Sequence, residues 1–352
     1  MHKAQVVAAG PIFLDIVSYG LKHAPVPGEE QWVDGGEIMA GGVANQAVAC
    51  ARLGLDVNIL TAFGTDRAGR WVRELLDGED VRFDGSTTVE RQSVTIAQFF
   101  DGDRALTTWG EDGAPLPPAD MPAPDYLLAS VPYLSAARDT VRRWREAGTT
   151  VIVDSCWDPA QKWDLENMAP IAEADIFVPN EVECLKYTQE DCCFKGAAKF
   201  LEAVPAMVIT RGERGAIVAE RGAMAAELGS SRGDEPAGGA PPYTEPTFIE
   251  LPAITVKALD TTGAGDSFTA GLVRGLVAGA SLVEAAVLGQ VTAAWTVERP
   301  GGSASAPTSE ELVRWADSGQ LRSADSDTLR RAEGQGARHV PNPADVIRRL
   351  LG

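Results

Sequence analysis

Positive charge is scarce in this sequence. Its 352 residues include 31 lysines and arginines against 50 aspartates and glutamates, which gives a formal net charge of -19 at pH 7. A surface of that sign repels a phosphate polymer, so DNA and RNA are excluded as expected partners. A small phosphate-bearing ligand stays possible, because local amides, a metal and a few basic groups are enough to hold one.

Long hydrophobic runs are also missing. No uncharged apolar run reaches the roughly 20 residues that a membrane-spanning helix needs. The most apolar stretch, residues 270–297, is interrupted by Arg274 and Glu284 and is typical of two buried helices. Residues 1–10 carry no apolar signal-peptide core preceded by positive charge. We therefore expect a cytoplasmic protein with no membrane partner.

Cysteine is sparse, with five residues in the chain. The number is odd, and their scattered positions match no metal-ligand spacing. The adjacent Cys192 and Cys193 are expected to be reduced thiols rather than a redox pair. Both features favour a reducing compartment.

Short apolar runs that alternate with helical patterns fill most of the chain, of which 45% is hydrophobic. Continuous apolar strands joined by helices predict an α/β fold with a mostly parallel sheet covered by helices on both faces, a Rossmann-like three-layer core. Ligands in such folds bind at the carboxyl ends of the strands. The predicted strands are 5–9, 57–63, 126–129, 150–154, 175–178, 207–210 and 216–219, and the predicted helices are 44–53, 68–76, 136–147, 196–203, 265–278 and 282–297.

Two segments, 12–38 and 93–109, alternate polar and apolar residues instead. This pattern predicts a small antiparallel sheet that serves as a lid, although ordinary surface hairpins would give the same pattern. Residues 222–246 are rich in Gly and Pro and predict a long mobile loop. We expect one domain over residues 1–317 and a C-terminal extension over 318–352, whose amphipathic end at 344–351 packs either on the domain or on another subunit.

The most informative string is residues 260–268, which precedes an apolar helical run. The small residues Gly263, Ala264 and Gly265 allow backbone amides to approach an anion at the positive end of that helix. The carboxylate of Asp266 would repel phosphate, so it is useful there only if it accepts a proton from an attacking hydroxyl. An acidic N-cap on a buried helix is the alternative interpretation.

This string resembles the C-terminal signature of the ribokinase-like (pfkB) carbohydrate kinase family. Residues 40–47, continuing to Gly54 and Gly64, resemble the N-terminal signature of the same family, and the likeness covers roughly residues 6–315. The resemblance implies a ribokinase-like fold with a β lid. It also implies an ATP-dependent kinase that phosphorylates the primary hydroxyl of a monosaccharide such as a pentose, ketohexose or sugar acid.

The resemblance also assigns roles to single residues. It implies that Asp266 is the general base and that the amides of residues 263–265 form an anion hole. Further matching positions are Asp15, Gly41, Gly42 and Asn45 for the sugar, Asn180, Thr210, Gly212 and Gly215 for the nucleotide, Glu183 for Mg²⁺ through water, and Asp260, Thr262 and Ser305 for a possible K⁺. Arg211 is left open as either a phosphate clamp or a solvated loop charge.

Three departures from the family pattern leave the acceptor open. Phe13 and Val43 stand where ribokinases proper carry Asn and Lys, and Cys156 replaces an Asn of an Asp-x-Asn pattern that begins at Asp154. Phe13 and Val43 raise the alternative of a nucleoside kinase. A non-catalytic sugar-binding protein on the same fold is a third hypothesis, and a homodimer formed through the lid is the predicted assembly.

Overall fold

The computed structural model of the chain describes residues 3–100, 103–111, 113–156, 158, 160–222, 245–321 and 340–352. The predicted loop at 222–246 lies almost wholly outside these ranges, as does the first part of the predicted C-terminal extension.

A nine-stranded sheet forms the centre of the fold, with the order β15-β14-β13-β12-β11-β10-β1-β4-β6. The pairings from β13 to β6 are parallel, whereas β13–β14 and β14–β15 are antiparallel. Its strands are β1 Gln5–Ala9, β4 Asp56–Leu60, β6 Val81–Arg82, β10 Tyr126–Ser130, β11 Thr150–Asp154, β12 Ile176–Val178, β13 Ala206–Thr210, β14 Ala216–Glu220 and β15 Thr247–Leu251.

Helices cover both faces of this sheet, and each face has its own apolar core. One core includes side chains of α1 Val43–Arg52, α2 Arg67–Leu76, α7 Ala264–Val277, α8 Leu282–Val297, α9 Ser309–Asp317 and α10 Pro343–Leu351. The other includes side chains of α3 Val131–Ala136, α4 Arg138–Glu146, α5 Glu181–Thr188, α6 Cys193–Phe200 and the 3₁₀ helix Leu165–Glu173. The predicted three-layer α/β fold is thus confirmed. Within the described ranges, every helix is too short or too polar to span a membrane.

A four-stranded second sheet, which we call the lid, has the order β3-β2-β8-β9. Its strands are β2 Ile12–Tyr19, β3 Gly35–Gly42, β8 Ser93–Phe100 and β9 Asp103–Trp109. The two outer pairings are antiparallel as predicted, but β2 and β8 pair in parallel. The predicted small sheet is confirmed, with one parallel pair in place of a wholly antiparallel arrangement.

Several boundaries differ from the prediction. The predicted strand at 57–63 breaks at Thr61, whose N–H donates to Ser86 Oγ, and a short β5 Ala62–Gly64 then pairs with β7 Thr87–Val89. The predicted helix at 136–147 corresponds to α4, and a separate helix that the prediction lacked, α3, precedes it with Pro132 in its first turn, where proline is tolerated. The prediction lacked β15 and α5.

The C-terminal helix α10 packs on the domain. Val346, Ile347 and Leu350 are buried in the core that contains α8 and α9. Arg348 adds an ion pair with Asp317, and Arg349 forms one with Glu284. The amphipathic end of the chain therefore docks on this subunit.

Candidate functional site

Most of the predicted site residues lie at or just beyond the carboxyl ends of parallel strands, where ligands of such sheets bind. β1 ends at Ala9 and the chain then turns through Gly10 and Pro11 into the lid. α1 follows the end of lid strand β3, and its first N–H, of Val43, donates to Pro11 O at 3.0 Å. The lid, α1 and the end of β1 therefore meet at one place.

Asp266 lies in the first turn of α7 and is half-buried. The helix begins after Gly263, whose φ of 68° is a left-handed conformation that suits glycine. Ala264 N–H donates to Thr261 O at 3.3 Å, and Ser267 N–H donates to Gly263 O at 2.8 Å. The amides of Gly265 and Asp266 between them have no acceptor four residues earlier within the helix. The sequence predicted this arrangement of small residues, helix start and carboxylate.

The turn before α7 is held by Asp260, which is buried. Its Oδ1 accepts Thr262 N–H at 2.8 Å and its Oδ2 accepts Gly301 N–H at 3.1 Å. These two bonds tie the start of α7 to the loop that follows α8. Thr262 is also buried, and within the described part of the chain its Oγ1 has no hydrogen-bond partner.

The helix that carries Asp266 packs against the helix that carries part of the N-terminal signature. These helices are α7 and α1. The negative charge of Asp266 on α7 acts on the Cys50 thiol of α1. Burial raises the pKa of the Cys50 thiol, and that negative charge raises it further. The two signatures, far apart in the sequence, are thus adjacent in space.

Asp154 at the end of β11 is a third carboxylate of this region, and it was not among the predicted site residues. Loss of hydration raises its pKa well above the ordinary value, and the charges of Glu183 and then Asp266 add to the rise. Gln46 Nε2 on α1 donates to Asp154 Oδ2 at 3.5 Å. Asp154 therefore contacts α1 through Gln46 and lies close enough to Glu183 and Asp266 for their charges to act on it.

The predicted sugar-binding residues come together between the lid and α1. Asp15 on β2 lies against Gly41 so closely that a Cβ at position 41 would overlap its carboxylate. Gly42 has φ 63°, and a side chain there would meet Pro11 O and the Phe13 ring. Asn45 is buried in the first turn of α1. The glycine pair ends a strand and lets Asp15 approach the turn into α1.

Asn180 and Glu183 form a capping box at the start of α5. Asn180 Oδ1 accepts Glu183 N–H at 2.9 Å, and Glu183 Oε2 accepts Asn180 N–H at 3.1 Å. The same Oε2 accepts the Ser155 hydroxyl in a short hydrogen bond. Glu183 is buried and joins the ends of β11 and β12. Asn180 and Glu183, which the sequence analysis predicted as site residues, thus also cap α5.

The predicted nucleotide turn lies beside Asn180. Asn180 and Thr210 form an isolated parallel bridge, and Thr210 N–H donates to Pro179 O at 3.0 Å. Gly212 and Gly215 have φ of 55° and 83°. A side chain at Gly215 would collide with Leu251 O, so the turn packs on the end of β15.

Arg211, left open by the sequence, makes contacts within this turn. Its guanidinium donates to Glu250 Oε2 at 2.9 Å and to Arg214 O at 3.1 Å. Arg214 in turn pairs with Glu181 of α5. These contacts fix the turn against β15 and α5.

Ser305 lies in the short 3₁₀ helix Gly302–Ser305 after α8. Its Oγ donates to Gly302 O at 2.6 Å. Gly302 is next to Thr262, since a Cβ on it would lie 3.3 Å from Thr262 Cγ2 and 3.2 Å from Met39 Sδ of the lid. The loop therefore links the turn at Asp260 with β3.

A cavity of about 590 Å³, which we call the side cavity, lies near the ends of β10 and β11. It lies between α3, the 3₁₀ helix Leu165–Glu173 and the loop after β11. Its lining includes Val131, Ser135, Cys156, Glu166, Met168 and Tyr187. None of the predicted site residues lines it.

The structure thus groups Asp15, Asn45 and Asp266 around α1, and Asn180, Glu183 and Thr210 around β12. Asp154 and Glu183 join the two groups. The residues that the prediction missed are Gln46, Asp154 and Ser155. Gln46 lies within the N-terminal signature at 40–47, and the Asp-x-Asn position at Asp154 pointed to the neighbourhood of Asp154 and Ser155.

Comparison with known proteins gives a consistent result. Residues 3–309 match the pfkB family of carbohydrate kinases. The chain is 26% identical over 309 residues to a ribokinase of Haemophilus influenzae, covering 83% of this chain and 92% of that protein. It is 24% identical over 323 residues to a nucleoside kinase of Methanocaldococcus jannaschii, covering 88% and 95%. The structure of Arabidopsis thaliana ribokinase complexed with ribose and ATP superposes with a TM-score of 0.65 at 22% identity, covering 89% and 98% of the chains.

Proposed function

Because this chain belongs to the pfkB family of carbohydrate kinases, we propose that it transfers the γ-phosphoryl group of ATP to the primary hydroxyl of a sugar. The observation that carries the proposal is the position of Asp266. It lies on an amide-rich helix start, packed against the helix that carries Asn45 and Gln46. The acceptor is a free monosaccharide or the sugar moiety of a nucleoside.

Asp266 is the general base in this proposal. A sugar hydroxyl held near Asp15 and Asn45 lies between the lid and α1, on the side of α1 that α7 packs against. The Asp266 carboxylate orients that hydroxyl and takes its proton as the oxygen attacks phosphorus. The amides of Gly263, Ala264 and Gly265 at the α7 start stabilise the negative charge on the transferring group.

Carboxylates of this region would act on a magnesium ion bound with ATP through its water shell, since no group of three or more His, Cys, Asp or Glu side chains among the described residues is arranged to hold a metal ion directly. The charges of Glu183 and Asp266 both raise the pKa of Asp154, which places the three carboxylates in one small region. Glu183 and Asn180 would hold Mg²⁺ through water, because this ion keeps much of its hydration shell. When bound, it would neutralise charge on the phosphates of ATP.

The nucleotide is assigned to the turn after β13. Thr210 and Asn180 lie side by side there. Gly212 and Gly215 carry no side chains, so a ligand can approach the backbone of the turn closely. Arg211 and Arg214 are used to fix that turn rather than to bind phosphate. The solved structures that this chain resembles include a ribokinase complexed with ribose and ATP and a ribokinase in complex with ADP, which supports a nucleotide as the phosphoryl donor.

A potassium ion fits between the turn at Asp260 and the loop that ends at Ser305. The buried hydroxyl of Thr262 has no hydrogen-bond partner among the described residues, and it lies beside Gly302. A buried hydroxyl without a partner is costly unless a ligand satisfies it. Asp260 would supply the negative charge.

Replacing Asp266 with Asn tests the proposed base. The change keeps the shape of the side chain but removes the oxygen that accepts a proton. Turnover, measured as ADP release with Mg²⁺ and K⁺ over a panel of sugars and nucleosides, should fall by about a thousandfold. ATP affinity, measured by calorimetry, should stay within about threefold of the unmodified protein.

Asp77→Asn is the matched control, because Asp77 is an exposed residue at the end of α2. It should leave turnover unchanged. A residual rate above a tenth of wild type in Asp266→Asn would disprove the role of Asp266 as base. Ligand binding with no phosphoryl transfer by the unmodified protein would favour a non-catalytic sugar-binding protein.

We also propose that the protein is a homodimer assembled through the lid. Ile38, Leu106 and Trp109 on lid strands expose about half of their surface, at 46%, 56% and 51%. Exposed apolar groups on edge strands favour pairing with another surface. The predicted cytoplasmic location and the domain boundary at residue 317 stay predictions.

A further inference from the structure

The contact between α7 and α8 is lined by small residues. A Cβ at Gly289 would lie 2.7 Å from Phe268 O, and a Cβ at Gly275 would lie 2.7 Å from Ala285 Cα. The order of these contacts shows that the two helices run antiparallel. Close backbone contact sets the distance between them, but it offers few interlocking side chains that would stop one helix from sliding or turning against the other.

A buried hydrogen bond joins the start of α7 to the last turn of α8. Thr296 Oγ1 donates to Ser267 Oγ at 3.0 Å, and it also lies 3.0 Å from Thr292 O. The side chains of Ser267 and Thr296 are both buried at 0% exposure. The low dielectric there strengthens the bond, and its loss would leave a polar atom that water cannot reach. The bond therefore fixes α7 against α8 at the end that carries Asp266.

Ser267 is coupled to the proposed catalytic turn through the backbone. It directly follows Asp266, and its N–H donates to Gly263 O at 2.8 Å. A shift of Ser267 relative to α8 would therefore move both the Asp266 carboxylate and the amides at the start of α7. A displacement of about 1 Å of a reacting group can lower a rate about a hundredfold.

Thr296 is held from the other side by the loop that follows α8. Its backbone O accepts Arg299 N–H at 3.0 Å and the Ser305 hydroxyl at 3.4 Å. In the same loop, Gly301 N–H donates to Asp260 Oδ2 at 3.1 Å. Thr296 thus contacts the loop that holds Asp260 as well as the helix start that carries the proposed base.

We propose that Thr296 is a positioning residue for phosphoryl transfer. Through Ser267, its hydroxyl holds the Asp266 carboxylate and the neighbouring amides where the acceptor hydroxyl meets the transferring phosphate. This inference rests on the proposed kinase function. Thr296 is fully buried and touches no substrate, so its hydroxyl acts on turnover and leaves ATP affinity, which is assigned to the turn after β13, unchanged.

Removing the hydroxyl tests the proposal. Thr296→Val keeps the shape of the side chain and loses the bond to Ser267. With Mg²⁺-ATP and whichever of ribose, fructose or adenosine is turned over fastest, kcat should fall by about tenfold or more, while KM for ATP stays within about threefold of wild type. Thr296→Ser restores the hydroxyl and should return kcat to within about threefold of wild type.

The matched control is Thr292→Val, because Thr292 is on the same helix and equally buried, and its hydroxyl donates to Leu288 O at 2.8 Å instead of to α7. It should lower the unfolding temperature to a similar extent and keep kcat within about threefold of wild type. If Thr296→Val does not fold, Ser267→Ala removes the same bond from the side of α7 and should show the same loss of kcat.

Three results overturn the inference and leave the kinase function intact. They are an unchanged kcat in the variant that lacks the bond, an equal loss of kcat in Thr292→Val, and no recovery of kcat in Thr296→Ser. Each would show that the bond between the helices has no specific effect on the reacting groups.

If the wild type phosphorylates no acceptor, the kinase function fails and amide hydrogen exchange decides whether the bond holds the start of α7. Mass spectrometry of peptides that cover residues 260–268 compares the wild type with Thr296→Val and Thr292→Val. Exchange that is about tenfold faster in Thr296→Val alone supports that role. Equal exchange in the three proteins, or the same increase in both variants, overturns it.

Discussion

At the scale of single residues, the hydroxyl of Thr262 has two possible roles with opposite energetic signs. If no ligand ever reaches it, a buried hydroxyl without a partner destabilises the fold by about 1–3 kcal/mol. If K⁺ binds there, the hydroxyl contributes to holding the ion beside Asp260. Replacing Thr262 with a residue that lacks the hydroxyl distinguishes these two roles.

The unfolding temperature of Thr262→Val, compared in KCl and NaCl, therefore tests the ion role. With an ion role, KCl raises the unfolding temperature of the wild type above its value in NaCl, because a ligand that binds the folded state stabilises it. The variant should lose most of that difference. Differential scanning fluorimetry in matched concentrations of the two salts measures both.

The control is Thr108→Val on lid strand β9, a threonine whose Oγ1 makes a hydrogen bond with Thr95. It should keep the salt difference of the wild type. A Thr262→Val protein about 1 kcal/mol more stable in both salts would instead identify an unsatisfied hydroxyl with no ion.

Single residues were predictable where their neighbours in sequence are also their neighbours in space. Asp266 and the glycines before it form one turn, so a short string determines their geometry. Gln46 and Asp154 meet across 108 positions, and no local pattern encodes that contact. Arg211 stayed ambiguous for the same reason, since its partner Glu250 lies 39 positions away.

At the scale of elements, α7 is positioned by close contact with α8. A Cβ at Gly271 would lie 2.5 Å from Thr292 Oγ1 and 2.8 Å from both Gly289 Cα and Leu288 O. Two of these atoms belong to backbone, which cannot move aside without shifting a helix. The glycine therefore sets the distance between the helices, and with it the position of Asp266.

Gly271→Ala should lower the free energy of unfolding by about 2 kcal/mol, since overpacking against backbone exceeds the helix propensity that alanine gains. Turnover should fall too, because α7 carries the proposed base. Chemical denaturation measures the first effect and ADP release the second.

Gly113→Ala serves as comparison, because a Cβ at Gly113 meets nothing within 4 Å. Its stability should change by less than about 0.5 kcal/mol. An alanine at 271 that leaves both stability and turnover intact would show that α7 and α8 can separate without cost.

Elements were predictable where the pattern is strong and local. The spans of β1, β11 and α8 agree with the sequence, because their apolar runs end at clear polar or glycine positions. The break at Thr61 was not predictable, since it depends on Ser86 from a later segment. The parallel pairing of β2 with β8 likewise depends on how the intervening chain folds.

At the scale of the whole molecule, the proposed dimer accounts for exposed apolar residues of the lid. In light scattering at micromolar concentration the protein should have the mass of two chains. Leu106→Glu places a charge on lid strand β9 and should yield a monomer, because a buried unpaired charge opposes association.

Leu116→Glu is the matched control, since Leu116 is similarly exposed at 58% and lies outside the lid strands. It should remain dimeric. A wild-type protein that is monomeric at these concentrations, or a Leu106→Glu protein that is still dimeric, would contradict assembly through this part of the lid.

The parallel pairing of β2 with β8 also determines the order in which the lid strands can pair while the chain is being synthesised. The β2–β3 hairpin is local and can form as soon as residues 12–42 have left the ribosome. Strand β8 must wait for β4, α2 and the short strands between them, and such distant pairings close slowly. Until then β2 exposes an edge that another nascent chain could join, so the first lid hairpin is the part of this protein most open to misassembly.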